Sequence, residues 1–461
     1  MKTEVLVIGA GPGGYVAAIR AAQLGKKVVV AERDRPGGIC VTVGCIPSKA
    51  LFGVSKLVDK VQSAAEMGVS VEGVRVDLAR MQAWKEGVVK KLVGGVQFLL
   101  KGNGVETKTG EARFLSPHTA QVGDEIIEFD SCIIATGSRP VQVPGFAFDG
   151  ERVIDSTGAL ALTELPKRLC VIGGGYIGLE LGTMYAKLGS QVTIVEMLDQ
   201  ILPGTDPDLV APVARKLKKR NVAVHLKSRA LGFEGPLGEL RVRVGTPDGE
   251  IAIECDRLLV SVGRQPLSDG IDLEKAGVAR DAKGFIPVNE RRQTNVPHIY
   301  AIGDVAGQPM LAHKAFKDGE VAAEVIAGHD SVFDPKCIPA VVFCDPEIAT
   351  AGMQEPEARA AGRDIIVGKF PFSALGRALV AAETDGFIKI IGDKQTKAAL
   401  GVHIVGPGAS DLISEAALAL EMGALLPDIG LTIHPHPTLP EGLMEAARAA
   451  LGEAIHSLNK K

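Results

Sequence analysis

The sequence has few aromatic residues. Phe, Trp and Tyr together make up 4% of its 461 positions, and there is a single Trp. Hydrophobic residues nevertheless reach 46%, so any large core has to be aliphatic, built from Ala, Val, Leu and Ile. No stretch of about 18 uncharged apolar residues occurs, and no membrane-spanning helix is expected. The start, Met1-Lys2-Thr3-Glu4, leads into a short apolar run that ends in glycines, without the basic region and cleavage pattern of a signal peptide. Both absences point to a cytoplasmic protein. The net charge is -4 with both signs interspersed, and no block of Lys and Arg marks a nucleic-acid or membrane surface. A small-molecule substrate is therefore expected. Cysteine is scarce and odd in number, at seven. Structural disulfides are rare in a reducing compartment, so a cysteine pair at motif spacing reads as catalytic or metal-binding.

Glycine, by contrast, is abundant at 55 residues and follows no collagen-like period, which suits tight turns and close backbone approaches. The length corresponds to about three domains of about 150 residues each. Glu4-Val5-Leu6-Val7-Ile8 reads as a buried strand that runs into Gly9-Ala10-Gly11-Pro12-Gly13-Gly14 and then an Ala-rich helix. This is the order a dinucleotide fingerprint requires. Gly9, Gly11 and Gly14 allow a tight turn, close approach of a pyrophosphate and close helix–strand packing, and the helix N-terminus offers amide donors to phosphate. A second strand, Lys27-Val28-Val29-Val30-Ala31, ends at Glu32, whose carboxylate can accept from ribose hydroxyls.

The pattern is written twice. Cys170-Val171-Ile172 is followed by Gly173, Gly175 and Gly178, and the strand Gln191-Val192-Thr193-Ile194-Val195 ends at Glu196. In both copies the acid lies 23 residues after the first glycine, and the copies are offset by 164 residues. Each has a later echo in an apolar strand running into a glycine turn, at Cys132-Ile133-Ile134-Ala135-Thr136-Gly137 and at Leu258-Leu259-Val260-Ser261-Val262-Gly263. One glycine fingerprint is weak evidence, whereas two in strand–turn–helix context with the acids in register predict two dinucleotide sites. An ionised Glu196 repels the extra phosphate of NADP, and Met197-Leu198-Asp199-Gln200 offers no Arg to receive it, so NAD is favoured at the second site.

Between the first fingerprint and a helical stretch stands Gly37-Gly38-Ile39-Cys40-Val41-Thr42-Val43-Gly44-Cys45-Ile46-Pro47-Ser48-Lys49. On a regular helix, cysteines at this spacing would have Cα atoms about 8–9 Å apart. A disulfide tolerates about 7 Å. The pair can close only if residues 40–44 are bent, with the regular helix beginning near Cys45 and Pro47 in its first turn. A thiolate at Cys45 would then sit at a helix N-terminus, where its pKa is depressed, with Lys49 one turn onward. The alternatives are two buried free thiols or half of a zinc site, but no nearby Cys or His supplies the remaining ligands. Cys132, Cys170 and Cys255 lie in or beside apolar strands, and Cys337 and Cys344 flank the start of the last domain; core packing is expected for all five.

These features together resemble the flavoprotein disulfide reductases, and Gly-Cys-Ile-Pro-Ser-Lys resembles the dihydrolipoamide dehydrogenases among them, over residues 3 to about 455. The resemblance implies an α/β fold with two Rossmann-like dinucleotide-binding domains and an α+β C-terminal dimerisation domain. Its expected parts are an FAD-binding domain over 1–145, an NAD-binding domain over 146–264, a central segment over 265–333 completing the FAD domain, and an interface domain over 334–461. It implies that Gly9, Gly11, Gly14 and Glu32 hold the adenosine half of FAD, with Thr136, Gly137 and Ser138 along the diphosphate, Asp304 on the ribityl chain and Ala312 facing the flavin. Ala112 is counted with the cofactor-binding residues. Gly173, Gly175, Gly178, Glu196 and Gly263 would serve NAD, and Lys49 would pair with Glu180 near the reactive ring nitrogen. The chain departs from the family's usual Leu-Asn after the first cysteine, carrying Val41-Thr42.

A His between prolines, as in His434-Pro435-His436-Pro437, reads by itself as a rigid-loop residue. The resemblance implies that His436 is the acid–base group and Glu441 the carboxylate that orients it, with His434 structural. The implied reaction oxidises dihydrolipoamide, presented on the lipoyl domain of an acyltransferase, through Cys40 and Cys45 and then FAD to NAD. The implied setting is a homodimer within a 2-oxo acid dehydrogenase complex. Mercuric reductases are expected to carry a C-terminal cysteine pair, and here no Cys follows Cys344. Glutathione reductase relatives usually show Pro-Lys-Lys at Pro47-Ser48-Lys49, and a transhydrogenase of this fold lacks one of the two cysteines.

Overall fold

The computed structural model describes residues 1–459. They form two compact units, one of Met1–Gly150, Ile154–Leu165 and Val262–Asp334, the other of Glu151–Val153, Pro166–Ser261 and Pro335 onward. Residues Val262–Asp334 and Ile154–Leu165 thus lie in the first unit.

The first unit is built on a parallel sheet with Lys2–Ile8 at its centre, Val28–Glu32 and Glu106–Thr109 on one side, and Glu125–Ile134 on the other. Ile299–Ala301 pairs in parallel with Cys132–Ile134, and Thr119–Val122 and Ala112–Ser116 extend the sheet antiparallel. Val5, Leu6, Val7 and Val29 are fully buried, as strands covered on both faces have to be. The helices Pro12–Gln23 and Ala312–Ile326 cross at small residues: a Cβ on Gly13 would lie 2.9 Å from the Ala315 carbonyl, and one on Gly319 would lie 2.6 Å from that of Gly13. The Gly and Ala content of the chain is used here to bring backbones together. Residues 38–67 are, among the described residues, the one helical stretch long and apolar enough by composition to cross a membrane. It carries Lys49, Lys56, Asp59 and Lys60, and the face formed by Pro47, Leu51, Phe52 and Val58 is buried in this unit.

The second unit repeats the scheme with the parallel strands Ala223–His225, Gln191–Val195, Arg168–Ile172 and Arg257–Val260. A three-stranded antiparallel sheet, Arg229–Glu234, Leu240–Thr246 and Gly249–Cys255, is inserted before the last of these. The C-terminal part is a five-stranded antiparallel sheet in the order Ala340–Val342, Glu347–Gly352, Ala399–Gly406, Phe387–Asp393, Ile365–Pro371, with Ala409–Glu421 and Glu441–Leu451 packed on it. This sheet meets the helix Pro207–Lys219 through a buried ion cluster. Lys389, 1% exposed, bonds to Asp206 and lies 2.9 Å from the Asp208 carboxylate. Burial works against charge on Lys389, but the two carboxylates outweigh it and hold its pKa above the usual value.

Candidate active site

Each fingerprint turn is closed from within by its acid. In the first, Glu32 accepts from the Ala10 N–H at 2.7 Å and from the Asp34 N–H at 2.9 Å. Gly9 has φ +101, and a Cβ on it would lie 2.4 Å from the Ala135 carbonyl; one on Gly14 would lie 1.9 Å from the Gly9 carbonyl. Gly11 is the N-cap of the helix Pro12–Gln23, whose first amides receive no side-chain cap. Nearby, the Thr136 hydroxyl is buried with no hydrogen-bond partner among the described residues, as expected of a group that bonds a ligand. Beside Glu32 a cavity of about 330 Å³ is lined by Asp34, Pro36, Gln97 and Lys101. The residues fit an anionic dinucleotide.

The cysteine pair is mounted on this turn. Gly37 donates its N–H to the Ala10 carbonyl at 2.7 Å, and Gly38, at φ +58, packs so closely that a Cβ would lie 2.5 Å from the Gly11 Cα. Cys40 then falls in a five-residue helix, Gly38–Thr42, in which the Thr42 hydroxyl donates back to the Gly38 carbonyl at 2.8 Å. The chain breaks at Val43 and Gly44 and restarts as the helix Cys45–Ser63, with Gly44 as N-cap and Cys45 as its first residue. A Cβ on Gly44 would lie 2.8 Å from the Ile39 carbonyl, so the break needs glycine for its close approach. A hydrogen bond to Cys45, reinforced by burial, pushes the Cys40 thiol far up, while Lys49 pulls the other way. Cys40 therefore keeps its proton and directs it at the Cys45 sulfur, which sits at the positive end of a helix.

The second fingerprint reproduces the first. Glu196, 7% exposed, accepts from the Gly174 N–H at 2.7 Å and the Leu198 N–H at 2.8 Å. A Cβ on Gly178 would lie 2.1 Å from the Gly173 carbonyl and 2.6 Å from the Ser261 hydroxyl, and Gly175 caps the helix Tyr176–Leu188. Glu180, on that helix, is buried and accepts from the Phe343 N–H at 2.9 Å. Gly263 falls in the first unit, where its carbonyl accepts from the Val141 N–H at 3.1 Å.

Near the C-terminus, His436 Nδ1 lies 2.9 Å from the Glu441 carboxylate, whose other oxygen accepts from the Thr438 N–H at 2.8 Å. Burial pushes the Glu441 carboxyl up, but the Thr438 N–H and the neighbouring His436 and His434 outweigh it and hold its pKa below the usual range. The His436 ring is 77% exposed in the single chain. His434 differs: its two ring nitrogens lie 2.9 Å from the Thr432 carbonyl and 2.8 Å from Glu415, and its side chain is buried.

A family model described as pyridine nucleotide-disulphide oxidoreductase matches residues 3–319, and the dimerisation domain of the same family matches residues 338–447. The chain belongs to the pyridine nucleotide-disulphide oxidoreductases. FAD and NAD are the cofactors of this family of enzymes, and the chain supplies two dinucleotide cradles. Dihydrolipoyl dehydrogenases from Thermus scotoductus and Geobacillus stearothermophilus are 51% and 50% identical to it; each match covers this whole chain, with 100% and 98% of the respective relative. Among solved structures, LpdA from Mycobacterium tuberculosis superposes with a TM-score of 0.90 at 27% identity, covering 97% of this chain and 99% of that one. The HOCl-induced flavoprotein disulfide reductase RclA from Escherichia coli gives 0.86 at 29%, covering 96% and 99%.

Of the residues that meet here, Ser138 and Asp304 were expected at the cofactor, whereas Arg264 and Asp318 were not. Asp304, in the turn Gly303–Ala306, accepts from the Ser138 hydroxyl, which in turn accepts from Arg264 Nε at 2.8 Å. Arg264 directly follows the Gly263 of the second echo, a position that could have flagged it. Behind Asp304 stands Asp318, fully buried, which accepts from the Gly303 N–H at 3.0 Å and pairs with Lys314 at 2.7 Å and Arg292 at 3.2 Å. An Asp four residues after a Lys inside an apolar helix is its only sequence signal. Ala312 is the first residue of Ala312–Ile326. Ala112 is buried in the core opposite Val122, and the structure shows it no polar role.

Proposed function

We propose that this oxidoreductase is a dihydrolipoyl dehydrogenase that oxidises dihydrolipoyl groups with NAD as acceptor. The observation that supports this most directly is the cysteine pair, bent at Gly44 and seated on the first dinucleotide turn, in a chain about half identical over its full length to enzymes of that name. Bound FAD would take the electron pair from the reduced cysteines and bound NAD would carry it away as hydride.

The protein's own groups divide the remaining work. His436, oriented by Glu441, accepts a proton from a substrate thiol. The thiolate attacks Cys40 of the oxidised pair, and the S–S bond breaks with Cys45 leaving as thiolate. The second substrate thiol displaces Cys40, releasing the cyclic disulfide, and Cys40 takes up that thiol's proton. Glu196 excludes a 2′-phosphate from the second cradle by charge. Lys49 and Glu180 are proposed to act as a pair on the strength of the resemblance. So are the homodimer, the lipoyl domain of an acyltransferase as the donor within a 2-oxo acid dehydrogenase complex, and the cytoplasmic location. The exposed apolar side chains Leu418, Met422, Leu431 and Ile433 support a second copy covering the C-terminal region.

The test is a spectrum and an assay. Purified protein is expected to be yellow and to reduce NAD with free dihydrolipoamide, with NADP a poor substitute. A yellow protein that turned over glutathione disulfide with NADPH, and not dihydrolipoamide, would reject the proposed substrate.

A further inference from the structure

The segment that follows Glu196, residues 197–206, is the second wall of the second cradle. Gly174 is gripped from both sides: its N–H donates to Glu196 at 2.7 Å, and its carbonyl accepts from the Leu202 N–H at 2.8 Å. Ile201 and Leu202 are buried, and a Cβ on Gly174 would lie 3.2 Å from Ile201 Cγ2. Leu202 has φ +51, a left-handed conformation that costs energy in a residue with a side chain and persists only where its surroundings impose it.

What imposes it lies at the foot of the segment. The Leu202 carbonyl accepts from the Thr205 N–H at 3.1 Å, and the Thr205 carbonyl accepts from Gln200 Nε2 at 2.8 Å, so residues 200–205 are wound into one turn. Gln354 ties that turn to the C-terminal part: its Nε2 donates to the Gly204 carbonyl at 2.8 Å, and its Oε1 accepts from the Asp206 N–H at 2.9 Å. Gln354 is fixed in turn through Met353, whose N–H donates to the Leu400 carbonyl at 2.9 Å and whose carbonyl accepts from His403 Nε2 at 2.9 Å. His403 is fully buried and stands across the strand pair from Lys389. Asp206 is the N-cap of the helix Pro207–Lys219, where an aspartate ordinarily caps its own helix; here its carboxylate makes no such bond and goes to Lys389 instead. Gln354 and Lys389 thus hold the foot of the segment from one side, the first by its backbone and the second by its charge.

We propose that Gln354 is a positioning residue for NAD: by fastening Gly204 and Asp206 to the C-terminal sheet, it keeps Leu202 on the Gly174 carbonyl and the cradle in shape for the dinucleotide. An amide suits this post because one side chain has to donate to a carbonyl and accept from an N–H at once. The inference rests on the reading of the second cradle as the NAD site. Gln354 acts through Leu202 and not on the nucleotide, so its loss is felt in affinity and leaves the flavin untouched.

The test uses the oxidised holoenzyme and the variants Gln354→Leu and Gln354→Met, which keep the bulk and remove both hydrogen bonds. Titration calorimetry with NAD is expected to show Kd rising by about three- to thirtyfold, with the flavin spectrum unchanged. Without NAD, hydrogen exchange in a peptide covering 198–206 is expected to be faster than in wild type. In turnover the KM for NAD is expected to rise while the KM for the dithiol stays. A lower urea midpoint with Kd unchanged in both variants would mean that the bonds only stabilise the fold, and would overturn the proposal. Gly178→Ala separates the two readings. If it weakens NAD binding and the Gln354 variants do not, the positioning role alone falls; if it leaves NAD binding unchanged, the second cradle is not the NAD site and both fall.

Discussion

Single residues carry the chemistry, and each has a lesion of its own. Cys45→Ser keeps every group of the first cradle, so the purified variant is expected to stay yellow while dihydrolipoamide turnover falls to background. Normal turnover would reject a disulfide relay. For Glu441 the folded carboxyl titrates below its usual value, so the carboxylate form is the one folding favours. Its contribution to stability is complete above an ordinary glutamate pKa of about 4.3 and is lost as the pH falls through the lower folded value. The difference in urea midpoint between wild type and Glu441→Gln is therefore expected to be flat from pH 8 to about 5 and to shrink below about pH 4. A difference that grew on acidification would mean that the carboxyl is raised.

At the scale of strands, turns and helices, the two cradles can be disabled separately. Gly178→Ala forces a Cβ into the Gly173 carbonyl and the Ser261 hydroxyl, neither of which can retreat from the turn. Titration is expected to show NAD affinity falling by about tenfold or more, with the flavin spectrum unchanged. Loss of both cofactors would show that the turn supports more than its own site. Glu196→Ala combined with Met197→Arg is expected to raise the ratio of kcat/KM for NADP over NAD. Removing Glu196 also leaves the Gly174 and Leu198 amides without their acceptor, at a cost of about 1–3 kcal/mol each where they are buried, so absolute efficiency is expected to fall for both nucleotides. An unchanged ratio would place Glu196 away from the ribose. These cradles were legible because a strand, a glycine turn and an acid at fixed spacing are local signals. The break before Cys45 was legible because helix geometry forbids closing a disulfide across that spacing. The helix Gly38–Thr42 was not, since five residues give no periodicity. Lys389 was not either: in Phe387-Ile388-Lys389-Ile390-Ile391 it reads as a solvent-facing strand position, and its partners Asp206 and Asp208 are some 180 residues away in the chain.

For the whole molecule the open question is whether one chain contains a complete active site. The distance in sequence between Cys45 and His436 motivates a site shared between two copies. Mixing Cys45→Ser with His436→Gln after denaturation and refolding decides it. If each site takes cysteines from one chain and histidine from the other, every mixed dimer has one intact and one doubly damaged site. With random pairing, about half the dimers are mixed and about a quarter of all sites recover. If each chain is self-sufficient, every site in the mixed dimer keeps one lesion and activity stays at the level of the parents, with mixing confirmed by mass. A feature of the cradles bears on how such a protein is assembled. Glu32 and Glu196 bind the backbone of their own turns, so part of what holds each turn in shape is supplied by the chain itself. Every bond the chain makes to its own turn lowers the ordering entropy that cofactor capture has to offset. Stripped of flavin, the chain is expected to remain folded and to accept it back without refolding.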